Sequence, residues 1–161
     1  MTPLCIEPGD LTSPDVRALL AEHLTDMYAT SPPESVHALD TEALQVPEVT
    51  FWTVRKAGVL LGCGALRRLT AEHGEIKSMR TARHARGTGV ASRLLDHITA
   101  EARRRGYARL SLETGAQPYF APARRLYRGR GFVDCAPFGD YAPDPNSVFL
   151  TLPLGGTPVR R

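Results

Sequence analysis

The sequence predicts a mixed α/β fold in which a mostly antiparallel sheet contains one parallel crossover. Two β-rich runs separated by Lys56, Ala57 and Gly58 have the spacing of a hairpin. Further along, a strand, an amphipathic helix and another strand follow in order, which is typical of a parallel crossover. The 161 residues, 42% hydrophobic and 23% charged, fit one globular domain spanning 1–161.

The first half of the chain is predicted to be helical before the hairpin. Ser13 and Pro14 form a helix start, with Ser13 as the cap and Pro14 at the first helical position. A second Ser and Pro start follows near Pro33 and predicts a short helix. The expected elements are a strand at 4–7, a helix from 14 to about 27, the short helix, and hairpin strands at 51–55 and 59–66.

The second half contains the crossover. Val90, Leu94 and Ile98 fall on one face of a helix that Gly106 should end. The strand before it has imperfect alternation, which suits a β-bulge. The expected elements are a strand at 75–81 after a loop ending in His73 and Gly74, a helix at 89–105, a strand at 108–113, a helix from Pro122, and closing strands at 132–134 and 147–152.

The charge pattern favours a small phosphorylated ligand over nucleic acid. The net charge is +3, and nearly all cations are arginine because Lys56 and Lys77 are the only lysines. Guanidinium groups suit phosphate and carboxylate. Acidic residues such as Asp96, Glu101 and Glu113 interrupt the basic ones, whereas nucleic-acid binders usually carry one dense basic stripe.

The cysteines and the N-terminus indicate a cytoplasmic protein. Cys5, Cys63 and Cys135 are odd in number and far apart, so we expect neither a zinc site nor a disulfide framework. The first residues lack a basic segment followed by an apolar run, and no stretch approaches the ~20 apolar residues of a membrane span. We therefore expect no export, no membrane partner and no metal.

A glycine-containing turn is the strongest indication of function. The run Arg86 to Ala91, RGTGVA, lies between a predicted strand and an amphipathic helix. Glycine lets the backbone approach a ligand, and the free N–H groups at a helix start attract an anion. A tight turn without a ligand would also use such glycines. Walker and dinucleotide motifs do not fit, since no Lys and Ser/Thr pair follows and position 92 is serine.

Two runs resemble one known family. RGTGVASRLL resembles the R/Q-x-x-G-x-G/A pyrophosphate loop of the GNAT superfamily of N-acetyltransferases, with Arg86, Gly89 and Ala91 at its defining positions. ARRLYRGRGF, at 123–132, resembles the family's A-x-x-L-Y-x-x-x-G-F ending. Stretches such as GEIKSMR and LSLETG resemble a bacterial acetyltransferase subfamily. The resemblance implies helices on both faces of a mixed, mostly antiparallel sheet whose central strands diverge.

The resemblance also implies a co-substrate site. Acetyl-CoA should enter where the central strands diverge, with its pantetheine arm against the backbone of the first strand and its pyrophosphate at the turn. The implied contacts are Met79, Arg80, Thr81, Arg86, Gly87, Thr88, Gly89, Val90, Ala91 and Ser92.

Catalytic roles follow from the same resemblance. Tyr127 matches the family tyrosine that faces the CoA sulfur, and a phenol with a reference pKa of ~10 is a neutral donor for the departing thiolate. Glu75 lies where some members carry a catalytic base, acting directly or through water. Glu113 is a rival, and either carboxylate can instead be a solvated strand residue. Backbone donors near Met79 are expected to hold the oxyanion.

Acceptor recognition is implied for the segments SPPESVHALD and GDYAPDPN. An amino-acid-like acceptor carboxylate would find four possible partners, which are equally compatible with a solvated face: Arg67, Lys77, Arg80 and His37. A family asparagine before the last helix is absent, because Phe120 stands near its place. Thr114 and Gln117 are the candidates to replace it.

We therefore expect an enzyme that transfers acetyl from acetyl-CoA to the primary amine of a small molecule within a ternary complex. Three alternatives remain open: a non-catalytic CoA-binding module, an enzyme acting on a protein or peptide amine, and an arginine-rich nucleic-acid binder. The sequence leaves open the acceptor, the acyl-chain length, and the choice between monomer and homodimer.

Overall fold

The computed structural model describes residues 3–36 and 41–155. In chain order its helices and strands are β1 (Cys5–Pro8), α1 (Pro14–Thr30), β2 (Val49–Lys56), β3 (Val59–Thr70), β4 (His73–Thr81), α2 (Val90–Arg104), β5 (Arg109–Gly115), α3 (Ala121–Gly129), β6 (Val133–Asp134) and β7 (Ser147–Pro153). Single 3-10 turns lie at Pro33–Ser35, Ala43–Gln45, Arg83–Ala85 and Pro118–Phe120.

The strands form one sheet in the order β1-β2-β3-β4-β5-β7-β6. All neighbouring pairs are antiparallel except β4 and β5, which α2 connects. These two parallel strands pair only over His73–Glu75 and Arg109–Ser111. Beyond Glu75 they diverge, so the predicted crossover and the predicted divergence are both confirmed.

Strand β4 contains the bulge that its imperfect alternation suggested. Ala65 pairs with Lys77 and Cys63 pairs with Arg80, so a two-residue step on β3 faces a three-residue step on β4. Ser78 lies within this step with a φ of 54°. A bulge inserts one residue and changes which side chains share a face.

The bulge separates the side chains of β4 into two groups. Arg80 bonds to Glu22 and Asp26 of α1, whereas Met79 packs against the core beneath α2. In a regular strand, residues two apart share a face. Here Arg80 faces α1 and Met79 faces the core beneath α2, and all the residues of 76–81 line one cavity.

Helices pack on both faces of the sheet. One core lies beneath α2 and α3, and its fully buried members include Leu94, Leu95 and Ile98. The other lies beneath α1 and is built around Val16 and Leu20. The predicted layering is therefore confirmed. No helix within the described part of the chain is long and apolar enough to cross a membrane.

Several predicted boundaries differ from the structure. Helix α1 continues to Thr30, past the predicted end near Met27. Pro14 opens the helix as predicted, but the Ser13 hydroxyl donates to the Asp15 carboxylate (2.6 Å) instead of capping the backbone. Near Pro33 the chain makes one 3-10 turn, so the prediction of a second helix holds only for this short element.

The placement of His73 and Gly74 in a loop is wrong, because both begin β4. His73 Nε2 lies 2.7 Å from the Ser111 hydroxyl of β5. A Cβ at Gly74 would approach the Tyr107 ring to 2.7 Å, so close packing against that ring requires glycine here. This packing involves residues distant in sequence, which is why the residue types alone suggested a turn.

Candidate active site

A cavity of about 590 Å³ occupies the opening between β4 and β5. Its walls come from β4, β5, α1, α3 and the turn into α2. Two of the predicted site residues, Thr88 and Glu75, do not line it. The others do: Met79, Arg80, Thr81, Arg86, Gly87, Gly89, Val90, Ala91, Ser92 and Tyr127.

The turn before α2 presents backbone to this cavity. Gly87 and Gly89 have φ values of 77° and 85°, in the left-handed region that glycine tolerates best. No atom lies within 4 Å of a Cβ built at either glycine, so there is open space beside the turn. The helix begins at Val90, and its first N–H groups have no intrahelical acceptor. The Thr88 hydroxyl instead bonds to the Ala85 carbonyl within the turn.

Tyr127 lies on the opposite wall, in α3. Its ring packs edge-on against Phe132, with the ring centroids 5.6 Å apart. Burial raises the pKa of the Tyr127 hydroxyl above its ordinary value of 10.0, because the phenolate loses hydration. The hydroxyl is therefore protonated at neutral pH and can donate a proton.

Glu113 brings a titratable carboxyl to the cavity from β5. Burial raises its pKa to about 7, against the hydrogen bond that it accepts from the Ser147 hydroxyl at 2.8 Å. The charge of Lys77 also lowers this pKa, while Glu75 and Asp144 raise it. A carboxyl with this proton affinity can accept a proton near neutral pH.

Glu75 lies behind the cavity wall, with 1% of its surface exposed. It accepts a hydrogen bond from the Tyr141 hydroxyl at 2.6 Å, and Lys77 Nζ is 3.6 Å from the same carboxylate oxygen. Lys77 Nζ also donates to the Tyr141 hydroxyl at 2.8 Å. Of the two carboxylates that the sequence offered as bases, Glu113 reaches the cavity and Glu75 does not.

The four cations considered for an acceptor carboxylate lie in different places. Arg80 is buried and bonds to Glu22, to Asp26 (2.6 Å) and to the Tyr119 hydroxyl (3.2 Å). Lys77 lines the cavity together with Arg80. Arg67 does not line it, and His37 lies outside the described residues. Of the three cations that the structure describes, it brings together Lys77 and Arg80.

The two segments predicted to recognise the acceptor are in contact. The Ser35 hydroxyl donates to Asp144 at 2.6 Å, and the Asn146 amide donates to Ser35 at 3.4 Å. The Gln117 amide donates to Asn146 at 3.0 Å, so the Gln117 side chain is bonded to the contact between the two segments. Thr114, the other candidate to replace the family asparagine, lines the cavity.

A comparison with known proteins identifies the family of this chain. The model of the acetyltransferase (GNAT) family matches residues 16–132. The uncharacterized N-acetyltransferase YsnE of Bacillus subtilis is 54% identical over 149 residues, which cover 92% of this chain and 99% of that protein.

The chain belongs to the GNAT acetyltransferase family.

Two further relatives agree with this assignment. The IAA acetyltransferase of Azospirillum brasilense is 43% identical over 136 residues, covering 84% of this chain and 86% of that protein. A Klebsiella pneumoniae structure described as an acyl-CoA N-acyltransferase superimposes with a TM-score of 0.76 at 30% identity, covering 94% and 97% of the two chains. This GNAT protein is thus an acetyl-CoA-dependent N-acyltransferase.

The geometry of the cavity fits acetyl-CoA as the co-substrate of a GNAT enzyme. Gly87 and Gly89 leave room beside the turn, and the adjacent helix start supplies N–H groups for a pyrophosphate. Beyond Glu75, β4 continues without β5 as a ladder partner, so a narrow ligand can lie along it. Within residues 3–36 and 41–155, no cluster of three or more His, Cys, Asp or Glu could hold a metal ion.

Sequence reasoning missed three side chains of this GNAT site. His23 of α1 lines the cavity and is buried. Tyr119 also lines the cavity, and Tyr141 reaches Glu75 from behind the wall. Tyr141 belongs to a segment expected to recognise the acceptor, but no local pattern indicates a partner 66 positions away.

Proposed function

We propose that this enzyme acetylates the primary amine of a small molecule, which binds beside Glu113 and attacks acetyl-CoA directly in a ternary complex. The observation that carries the proposal is Glu113 itself, a carboxyl on the cavity wall whose pKa is raised to about 7. An amine attacks a thioester only in its neutral form, so it needs a base with a proton affinity in this range.

We assign removal of the amine proton to Glu113. Glu75, the base that the family resemblance implies, does not line the cavity, and its carboxylate is bound to Tyr141 and Lys77. The assignment is decided by comparing Glu113→Gln with Glu75→Gln. Loss of the acidic limb of the pH–rate profile in Glu113→Gln alone supports Glu113, and loss in Glu75→Gln alone supports Glu75.

Tyr127 is the proposed acid. Tyr127 lines the cavity, and its hydroxyl, protonated at neutral pH, would give its proton to the departing thiolate of CoA. For the oxyanion we propose backbone N–H groups near Met79, where β4 has separated from β5. Donors fixed in a strand need no reorganisation as negative charge develops.

The turn and the free end of β4 are the proposed contacts of acetyl-CoA. Backbone N–H groups from Gly87 to Ser92 would bind the pyrophosphate, and the backbone of Met79, Arg80 and Thr81 would bind the pantetheine arm. The Arg86 side chain is exposed beside the turn, where it can approach a phosphate. Thr88 supports the turn through its bond to the Ala85 carbonyl.

Among the residues that the structure describes, the charged side chains on the cavity wall include one carboxyl, that of Glu113, and the cations Lys77, Arg80 and Arg86. Arg80 is bound to Glu22 and Asp26, which do not line the cavity. An amino-acid-like acceptor would add a carboxylate, which would have to share Lys77 with Glu75 and Tyr141. Comparing each amino acid with its amide therefore tests the amino-acid-like form of the proposal.

The test is a screen for CoA release with amino acids, their amides, polyamines, aminoglycosides, peptide N-termini and IAA, the last because a relative bears that name. Tyr127→Phe should lower kcat about 10²- to 10⁴-fold with the best acceptor, since the thiolate loses its acid. Tyr107→Phe is the matched control, because Tyr107 is a buried tyrosine of the same core that does not line the cavity.

Two outcomes would contradict the proposal. Full activity in Tyr127→Phe would remove Tyr127 as the acid. If no small amine releases CoA faster than water does, the small-molecule acceptor is wrong, and activity on peptide N-termini alone would place the acceptor among proteins. Calorimetry with CoA then separates an enzyme lacking its acceptor from a protein that binds no coenzyme.

A further inference from the structure

A buried group of three side chains meets the cavity at Lys77, which lines it. Glu75 and Lys77 come from β4, and Tyr141 comes from the segment that precedes β7. The Tyr141 hydroxyl donates to Glu75 (2.6 Å) and accepts from Lys77 Nζ (2.8 Å). We call these residues the Lys77 cluster. Acetyl transfer itself does not require a lysine at this place, so the cluster needs an explanation of its own.

The aromatic ring of Tyr141 fixes the position of the cluster. It packs against Phe138 and Phe149, with ring centroids 5.1 and 5.4 Å apart. Lys77 Nζ lies beyond the hydroxyl end of the same ring, 2.8 Å from the oxygen and 5.4 Å from the ring centre. A lysine side chain is ordinarily mobile, but here the hydroxyl of a packed ring and a carboxylate hold its ammonium group.

Lys77 and Glu113 both line the cavity, and each lies two residues beyond the last paired residues of β4 and β5, Glu75 and Ser111. The groups that act on Glu113 are the Ser147 hydroxyl, Lys77, Glu75 and Asp144, and Lys77 is the cation among these four. Burial alone favours the neutral form of Glu113, whereas a nearby ammonium favours the carboxylate. The charge of Lys77 is effective only while the ammonium stays in place.

We infer that Glu75 and Tyr141 are positioning residues that hold the Lys77 ammonium beside Glu113, so that Glu113 is available as a carboxylate when the amine binds. The inference builds on the proposed function, since it explains how the proposed base is kept ready. It also gives Glu75 a role that does not require it to line the cavity. Glu75 balances the buried charge of Lys77, which would otherwise be costly to desolvate.

The test follows the titration of Glu113 by ¹³C NMR of glutamate-labelled protein without any acceptor, with Glu113→Gln identifying the resonance. In Lys77→Met the midpoint should rise by about one pH unit, a ~10-fold change in the protonation equilibrium, because the cation is gone. Tyr141→Phe should raise it by less, since Lys77 keeps its charge but loses one anchor. Lys77→Arg should restore much of the wild-type midpoint.

Tyr119→Phe serves as the matched control. Tyr119 is a cavity tyrosine whose hydroxyl bonds to Arg80 and Asp26 rather than to Lys77, so the Glu113 midpoint should not move. An unchanged midpoint in folded Lys77→Met overturns the inference. If Lys77→Met does not fold, the Glu113 midpoint is measured in Tyr141→Phe, and an unchanged midpoint there overturns the inference. Because no acceptor is used, a failed acceptor screen would leave this result standing.

Discussion

His23 lies on α1 with 9% of its surface exposed and faces the cavity. Burial, together with the nearby charge of Arg80, lowers its pKa from 6.5 to about 4, while Asp26 acts in the opposite direction. The imidazole is therefore neutral at physiological pH. Its Nδ1 has no hydrogen-bond partner among the residues that the structure describes.

The titration of His23 predicts how stability depends on pH. Between about pH 4 and 6.5 the unfolded chain binds more protons at this residue than the folded chain, so the free energy of unfolding falls as pH is lowered. The full effect is at most about 3 kcal/mol. His23→Gln should flatten this part of the profile, measured by urea unfolding at several pH values. The exposed His84→Gln should retain the wild-type slope, and equal slopes in all three proteins would contradict the prediction.

For individual residues, the sequence predicted those cavity residues that belong to a short sequence motif. Gly89 and Tyr127 belong to short motifs, and both line the cavity as expected. The partnership of Glu75 with Tyr141 could not be predicted in this way, because the two residues meet only after β4 and the segment before β7 have packed together. Motif position also indicates nothing about burial, which is what separates Glu75 from Glu113.

Among the elements, the turn into α2 has the clearest energetic requirement. Gly89 has a φ of 85° and precedes the first helical residue. An alanine there would be strained by about 1 kcal/mol and would shift the first N–H groups of the helix. The effect should be greater on ligand binding than on folding, because the space beside Gly89 is open.

Gly89→Ala should therefore weaken acetyl-CoA binding by about tenfold in calorimetry, as expected for the loss of roughly 1.4 kcal/mol from a well-placed set of donors. Gly58→Ala is the matched control, since Gly58 has a φ of 82° in the β2–β3 turn and likewise has nothing within 4 Å of its Cβ. Both variants should lose similar stability. Equal losses of affinity in the two would show that the turn does not bind the coenzyme.

Periodicity predicted α2 well because its buried positions follow the helical repeat. The start and the bulge of strand β4 were harder to predict. Its irregular pattern indicated a bulge, but the location at Ser78 depends on pairing with β3. The start of β4 was missed because Gly74 is required by the Tyr107 ring, which lies in another part of the chain. Local sequence patterns thus predict a helix with regularly repeating buried positions better than a strand whose start and bulge depend on contacts with distant residues.

In the folded molecule as a whole, the three cysteines differ in how deeply they are buried. Cys63 is buried in β3 within the core under α1, and burial raises its pKa to about 12. Cys5 is exposed on β1, and Cys135 is half-buried. Thiol reagents react with the thiolate, so accessibility and pKa both protect Cys63 in the folded protein.

Native labelling should therefore modify Cys5 first, and Cys63 only as the protein unfolds. Mass spectrometry of the labelled peptides over time gives the separate rates. Acetyl-CoA should slow the labelling of Cys63 by stabilising the folded state, but not that of Cys5. Cys5→Ser should remove the fast phase and leave the slow one. Modification of Cys63 at the rate of Cys5, without denaturant, would contradict the packing described here.

The separation of β4 from β5 gives the sheet a pair of inner edges. An exposed strand edge ordinarily invites pairing with other protein chains and so promotes aggregation. Here these edges face each other across a cavity walled by parts of three helices, which a slender coenzyme arm can enter more readily than a polypeptide. The two outer edges are the short strands β1 and β6, of four and two residues. The sheet thus has an open pair of edges inside the molecule and short strands at both outer edges.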